Sequence, residues 1–218
     1  MRVLVIGGSG RTGKRIVTSA IRDGHEVTAL VRSPTSLSEQ QGPTLHVIEG
    51  TPVNVDDLEK CFTQPAGPPE VVFSALAFPL KPMVSEHFMR DTLTKVIGVM
   101  RRFEVQRLIV LSAFGVGESA DHLAWPLKLV FRYTKMAYGY QDHMAVEKML
   151  QAEQGIKWTL VKPPMLRDED AAKDVRTFDS NGSGVGMLDS CTMGSVAAFM
   201  IKQAVADKWV EQTVVIAN

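Results

Sequence analysis

The sequence lacks the marks of several functional classes. It holds only two cysteines, Cys61 and Cys191, far apart in 218 residues. Two thiols cannot frame a disulfide scaffold, and no CxxC spacing or Cys/His cluster suggests zinc. The expectation is a pair of reduced thiols, no metal, and a cytoplasmic setting. No apolar stretch approaches the ~20 uninterrupted residues of a membrane-spanning helix. The N-terminal run Val3–Ile6 stops at a glycine and is too short for a signal-peptide core. An excess of one charge is missing too: Lys plus Arg is 24, Asp plus Glu is 24, and the formal net charge is +0. A general polyanion binder needs a basic surplus. Neither nucleic acid nor membrane is therefore expected as a direct partner, although a local basic pocket for one phosphate stays open. Internal repeats, low-complexity tracts and a linker to a second domain are also absent from the sequence, so one domain over residues 1–218 is expected.

What the chain does have is alternation. Short runs rich in Val, Ile and Leu occur at Arg2–Ile6, Glu26–Val31, Leu45–Ile48, Val71–Ser74, Leu108–Ser112 and Trp158–Lys162. They are apolar throughout, as strands covered on both faces are. Helical patterns lie between them at Thr12–Asp23, Val55–Phe62, Val84–Phe103 and Tyr140–Gln154. This rhythm predicts an α/β fold, a parallel sheet wrapped on both faces by helices. After Lys162 the rhythm breaks. Pro163-Pro164, the polar stretch Arg167–Asp174, a short segment Val175–Phe178 and the turn Asn181–Gly184 lead into a helix over Thr192–Ala206 and a last strand over Thr213–Ile216. Residues 163–190 read as a small C-terminal lobe built onto the same sheet.

The most informative segment is Gly7-Gly8-Ser9-Gly10-Arg11-Thr12-Gly13, which joins the first strand directly to the first helix. Gly7 suits the tight turn off the strand. Gly10 removes a side chain where a pyrophosphate must approach the backbone, and Gly13 lets the helix pack close. The free N–H groups and the dipole of that helix terminus then receive phosphates. The second strand discriminates between dinucleotides. NAD sites end it in an acid that holds the ribose 2′-OH. Here it ends in Arg32-Ser33, and Arg11 sits inside the loop. Two guanidiniums suit a 2′-phosphate, so NADP(H) is expected over NAD(H).

With Gly7-x-x-Gly10-x-x-Gly13, Val31-Arg32, Leu111-Ser112-Ala113-Phe114 and Val161-Lys162-Pro163-Pro164 in view, the chain resembles the atypical short-chain dehydrogenase/reductases with NmrA-like NAD(P)-binding domains. Within them it is similar to the biliverdin and flavin reductase type. The resemblance implies a Rossmann-type doubly wound parallel sheet with a small C-terminal substrate lobe. It implies that Gly7, Gly10, Arg11, Thr12, Gly13 and Arg32 hold the adenosine diphosphate half. Ser74, Ala75 and Leu76 would line the cofactor, Ser112 would stand beside the nicotinamide, and Pro163 and Pro164 would border the nicotinamide-ribose pocket.

Two departures matter. The wider superfamily's Tyr-x-x-x-Lys pair is absent: four residues after Tyr138 stands Asp142, and Tyr133 and Tyr140 are followed by Ala137 and Met144. An aspartate beside a tyrosine would raise its pKa. The family's acid after the third strand is missing as well, since Thr51 follows Gly50. Hydride chemistry belongs to the cofactor. Without the pair, the proton must come from water, from His143 or from a tyrosine such as Tyr138. A conjugated planar acceptor tolerates that better than a simple ketone. Ser112 is the candidate substrate-polarising hydroxyl, and His87 is a weaker candidate donor than His143. The apolar, aromatic segment His122–Tyr140 suits a cover over a flat hydrophobic small molecule, and equally a homodimer surface or core. Three functions stay open: an NADPH-dependent reductase, an NADP(H)-sensing regulator without turnover, and a biosynthetic tailoring reductase or isomerase.

Overall fold

The structure is a computed structural model that describes residues 1–40, 42–77, 87–122 and 136–218. Six parallel strands follow one another in the order the alternation predicts: β1 (Arg2–Ile6), β2 (Glu26–Val31), β3 (Leu45–Glu49), β4 (Val71–Ser74), β5 (Arg107–Leu111) and β6 (Lys157–Lys162). Helices α1 (Arg11–Arg22), α2 (Val55–Phe62), α3 (Phe88–Arg102) and α4 (Met136–Gln151) lie between them. After Lys162 come β7 (Met165–Arg167), β8 (Arg176–Phe178), β9 (Ser190–Thr192), α5 (Met193–Lys202) and β10 (Gln212–Ala217). The eight-stranded sheet runs β3-β2-β1-β4-β5-β6-β10-β8, with only β8 antiparallel, and β7 pairs with β9 in a second small sheet. This is a Rossmann-like, doubly wound α/β architecture.

Successive strand residues face opposite sides of the sheet, which explains why these strands are apolar throughout. Val3 and Val5 pack with α1 and α5, burying Ile16, Val17, Val196 and Met200. Leu4 and Ile6 pack on the other face with α2, α3 and α4, burying Leu58, Leu93, Val96 and Val146. Among the described residues no helix is long and apolar enough to cross a membrane.

The elements depart from the sequence reading mainly at their ends. Helix α3 begins at Phe88, with residues 84–86 outside the described part. Helix α4 begins at Met136, before Tyr140, and ends at Gln151. Helix α5 stops at Lys202, not at Ala206. The reason is local: the buried Arg107 guanidinium donates to the Gln203 carbonyl at 2.6 and 3.2 Å and so takes up an end carbonyl of that helix. Most of the proposed cover, residues 123–135, lies outside the described residues.

Candidate functional site

Strand order reverses between β1 and β4, because β1 is flanked by β2 on one side and β4 on the other. Ligands of open α/β sheets bind at the carboxyl ends of strands at such a point. A cleft of about 320 Å³ lies there, lined by Gly7, Ser9 and Gly10 of the turn, by Leu30, Val31 and Arg32 after β2, by Gly50–Val53 after β3, by Ala75, Leu76 and Ala77 after β4, and by Phe88.

The turn is as tight as its glycines demand. Gly7 has φ +80, and a Cβ there would lie 2.7 Å from the Ala75 carbonyl oxygen. A Cβ on Gly13 would lie 2.0 Å from the Gly7 carbonyl oxygen, so α1 can dock on the turn only with hydrogen at that position. Gly10 is the N-cap of α1 and brings no side-chain cap, and no acid occupies the first turn. The first-turn N–H groups are thus left for an anion, which fits the diphosphate of a nicotinamide dinucleotide.

The expected cofactor residues are not all in one place. Gly7, Gly10, Arg32, Ala75 and Leu76 line the cleft. Thr12 and Gly13 are buried beneath the turn. Arg11 is directed elsewhere: its guanidinium is paired with Asp168 at 3.5 Å, and Arg15 binds Asp168 at 2.8 Å and Asp170 at 2.5 Å. Two guanidiniums do not converge on one ribose here; Arg32 faces the cleft without Arg11 among its lining residues. Ser74 is also not part of the lining. It is buried, and its Oγ has no partner among the described residues. The position of the missing acid after β3 is tied down from α2: Asp57 accepts from the Thr51 N–H at 3.0 Å and from Lys60 at 2.8 Å.

Beyond the cleft, β5 and β6 stay side by side past their ends. Ser112 N–H donates to Val161 C=O at 2.8 Å, and Phe114 N–H to Pro163 C=O at 2.9 Å. This brings Ser112 next to the Pro163-Pro164 bend. The Ser112 hydroxyl lies 3.2 Å from His143 Nδ1 on α4. His143 is held in surroundings that disfavour its charged form: burial, then the nearby Lys162 ammonium, bring its pKa down to about 4. With its pKa at about 4 the ring is neutral at neutral pH, so any proton it gives up there comes from a neutral N–H.

Lys162 itself was visible in the sequence only as part of a motif. It is wholly buried, bonded to Glu147 at 2.5 Å and to the Val116 carbonyl at 2.9 Å. Burial pulls the Lys162 pKa down and pushes that of Glu147 up, and each charge opposes the shift of the other. Glu147 fits because Gly117 has no side chain; a Cβ there would meet Glu147 Oε2 at 1.9 Å. The available signals were a lysine ending an apolar run and a glutamate one helical turn after His143.

Asp142 is engaged with the backbone of α3. It is buried and accepts from the Met89 N–H at 2.7 Å and the Arg90 N–H at 3.1 Å, capping α3 from α4. The Tyr140 phenol is raised by burial, then by Glu147 and Asp121. Tyr138 sits on the first turn of α4 with 53% of its surface exposed.

A family model described as NAD(P)H-binding matches residues 7–207. The chain belongs to that family. It is similar to the uncharacterized protein YwnB of Bacillus subtilis, 26% identical over 172 residues that cover 77% of this chain and 74% of that one. The oxidoreductase ylbE of Lactococcus lactis superposes with a TM-score of 0.79 at 16% identity, over 100% of this chain and 91% of that chain. ChuY of Escherichia coli O157:H7, described as an anaerobillin reductase, superposes with a TM-score of 0.77 at 17% identity, over 99% and 96%. At these identities the two structures establish the shared fold.

Proposed function

We propose that this chain is an NADPH-dependent reductase of a conjugated, planar, hydrophobic acceptor of the flavin or bilin kind. The observation that carries the reading is the placement of the Ser112 hydroxyl, aligned with the Pro163 bend at the same carboxyl edge of the sheet as the Gly7–Gly13 turn. When bound, the nicotinamide supplies a hydride. The α1 terminus at Gly10 holds the diphosphate, with Arg11 and Thr12 beginning that helix. The exposed Arg32, followed by Ser33, meets the 2′-phosphate. Ala75 and Leu76 flank the dinucleotide, and Pro163 and Pro164 close the nicotinamide-ribose end. Residues 163–190 form the substrate lobe of the single domain 1–218.

Ser112 donates a hydrogen bond to the acceptor atom on which negative charge builds. A conjugated acceptor spreads that charge, so the absence of Tyr-x-x-x-Lys is tolerated. The name anaerobillin reductase on one structural neighbour supports a bilin-like acceptor. NADPH oxidation with FMN or biliverdin tests the reading. Turnover that falls about a hundredfold to a thousandfold in Ser112→Ala, with NADPH affinity kept, is the expected result. Tight NADPH binding without oxidation across flat acceptors would overturn it and make the chain a sensor of NADP(H).

A further inference from the structure

A buried ion pair is a costly device. Replacing one by apolar groups of similar volume is often neutral or stabilising, so its presence calls for another reason. Lys162–Glu147 is such a pair, with side-chain exposures of 0% and 3%. A turn and a helix are shaped around it: Val116 lends its carbonyl, Gly117 gives up its side chain, and α4 presents Glu147 one turn beyond His143. The pair does not line the nucleotide cleft. Glu147 lies one turn beyond His143 on α4, and the Lys162 ammonium acts electrostatically on the His143 ring.

We propose that Ser112 and His143, backed by Lys162 and Glu147, form the proton relay of this site in place of the absent Tyr-x-x-x-Lys pair. The proposal rests on the reductase reading above. The acceptor, having gained a hydride, carries a negative charge. The Ser112 O–H bond breaks as the acceptor takes that proton. The Nδ1–H of His143 refills Oγ, and Nε2 takes a proton from water. One solvent proton reaches the acceptor and hydroxide is left in the solvent; both side chains are neutral again, and the ring, now protonated at Nε2, regains the Nδ1–H tautomer by proton exchange with water before the next turnover.

The residue His143 is half-buried, and refilling requires that water reach its Nε2. Lys162 from β6 favours the neutral imidazole, and Glu147 keeps the buried ammonium compensated. Glu118 and Asp121, on the turn Gly117–His122, add negative charge near Glu147 and Tyr140 respectively. Asp142 is turned toward the α3 terminus. Glu147, Lys162 and His143 are thus relay and positioning residues, and Ser112 alone of the four is assigned to touch the substrate.

Two measurements test this. The first needs no turnover: long-range proton–nitrogen correlation spectra of the His143 imidazole in the free protein, followed with pH. The expected result is a neutral ring with a protonated Nδ1 between about pH 5 and 8. Its shifts should change in Ser112→Ala, and its titration should move up in Lys162→Met/Glu147→Leu, which removes the ammonium that opposes ring protonation. This double variant removes both charges and leaves no bare ion to unfold the chain. A ring that titrates at the same pH in parent and double variant, or ignores Ser112→Ala, overturns the proposal.

The second is kinetic. His143→Ala should lose about a hundredfold in kcat with KM nearly kept, and added imidazole should restore part of the rate. Loss without rescue, or no loss, overturns the relay. Failure of the parent to oxidise NADPH with any flat acceptor would overturn the reductase reading instead, while the spectra still decide whether the four side chains are coupled.

Discussion

At the scale of single residues, solvation decides which groups can react. Burial pushes the Cys61 thiol up to about 12 and the Cys191 thiol up to about 11, so neither presents a thiolate at neutral pH. His143 moves the other way, from 6.5 down to about 4. An unfolded histidine binds its proton near 6.5, while the folded one resists until about 4. The folded state is therefore unaffected above pH 6.5 and loses stability as pH falls through the window down to about 4. At about pH 4.5 the loss should reach about 2–3 kcal/mol relative to pH 7. Urea unfolding at the two pH values, in the parent and in His143→Phe, checks this. The variant should lose less stability on acidification by roughly that amount. Equal losses in both would mean that the ring is not desolvated.

At the scale of elements, the joints between helices carry the site. Asp142 ties α4 to the N-terminus of α3 through two N–H groups. It neighbours His143, so the same turn of α4 fixes both the cleft wall near Phe88 and the partner of Ser112. Asp142→Ala should cost about 1–3 kcal/mol, because two donors lose a buried acceptor. Hydrogen exchange should speed up at the Met89 and Arg90 amides first. Unchanged exchange at those two amides would contradict the cap.

The parallel strands could be read from the sequence because a strand covered on both faces has no polar alternation to hide it. The glycine turn could be read because Gly7 and Gly13 each do a steric job that no other residue can do. The three-residue strands β7, β8 and β9 could not, since too few residues form a pattern and their pairing comes from tertiary contacts. Arg11 looked like a phosphate ligand for want of any sign that Asp168, far along the chain, would pair with it. The Glu147–Lys162 pair was hidden for the same reason: it joins a helix to a strand, and no local spacing announces it.

At the scale of the whole molecule, the reversal of strand order between β1 and β4 is the feature that makes a dinucleotide cleft, and the remaining strands set a hydroxyl and a bend beside it. The proposed choice of NADP(H) over NAD(H) rests on the rim, on Arg32 after β2 and on the absence of an acid there. Isothermal titration calorimetry of the purified chain with NADPH and NADH, repeated on Arg32→Asp, tests this most directly. The account predicts that NADPH binds more tightly than NADH, and that Arg32→Asp weakens NADPH by about tenfold to a hundredfold while leaving NADH bound. No heat with either reduced coenzyme, or an unchanged NADPH-to-NADH ratio in Arg32→Asp, would contradict it.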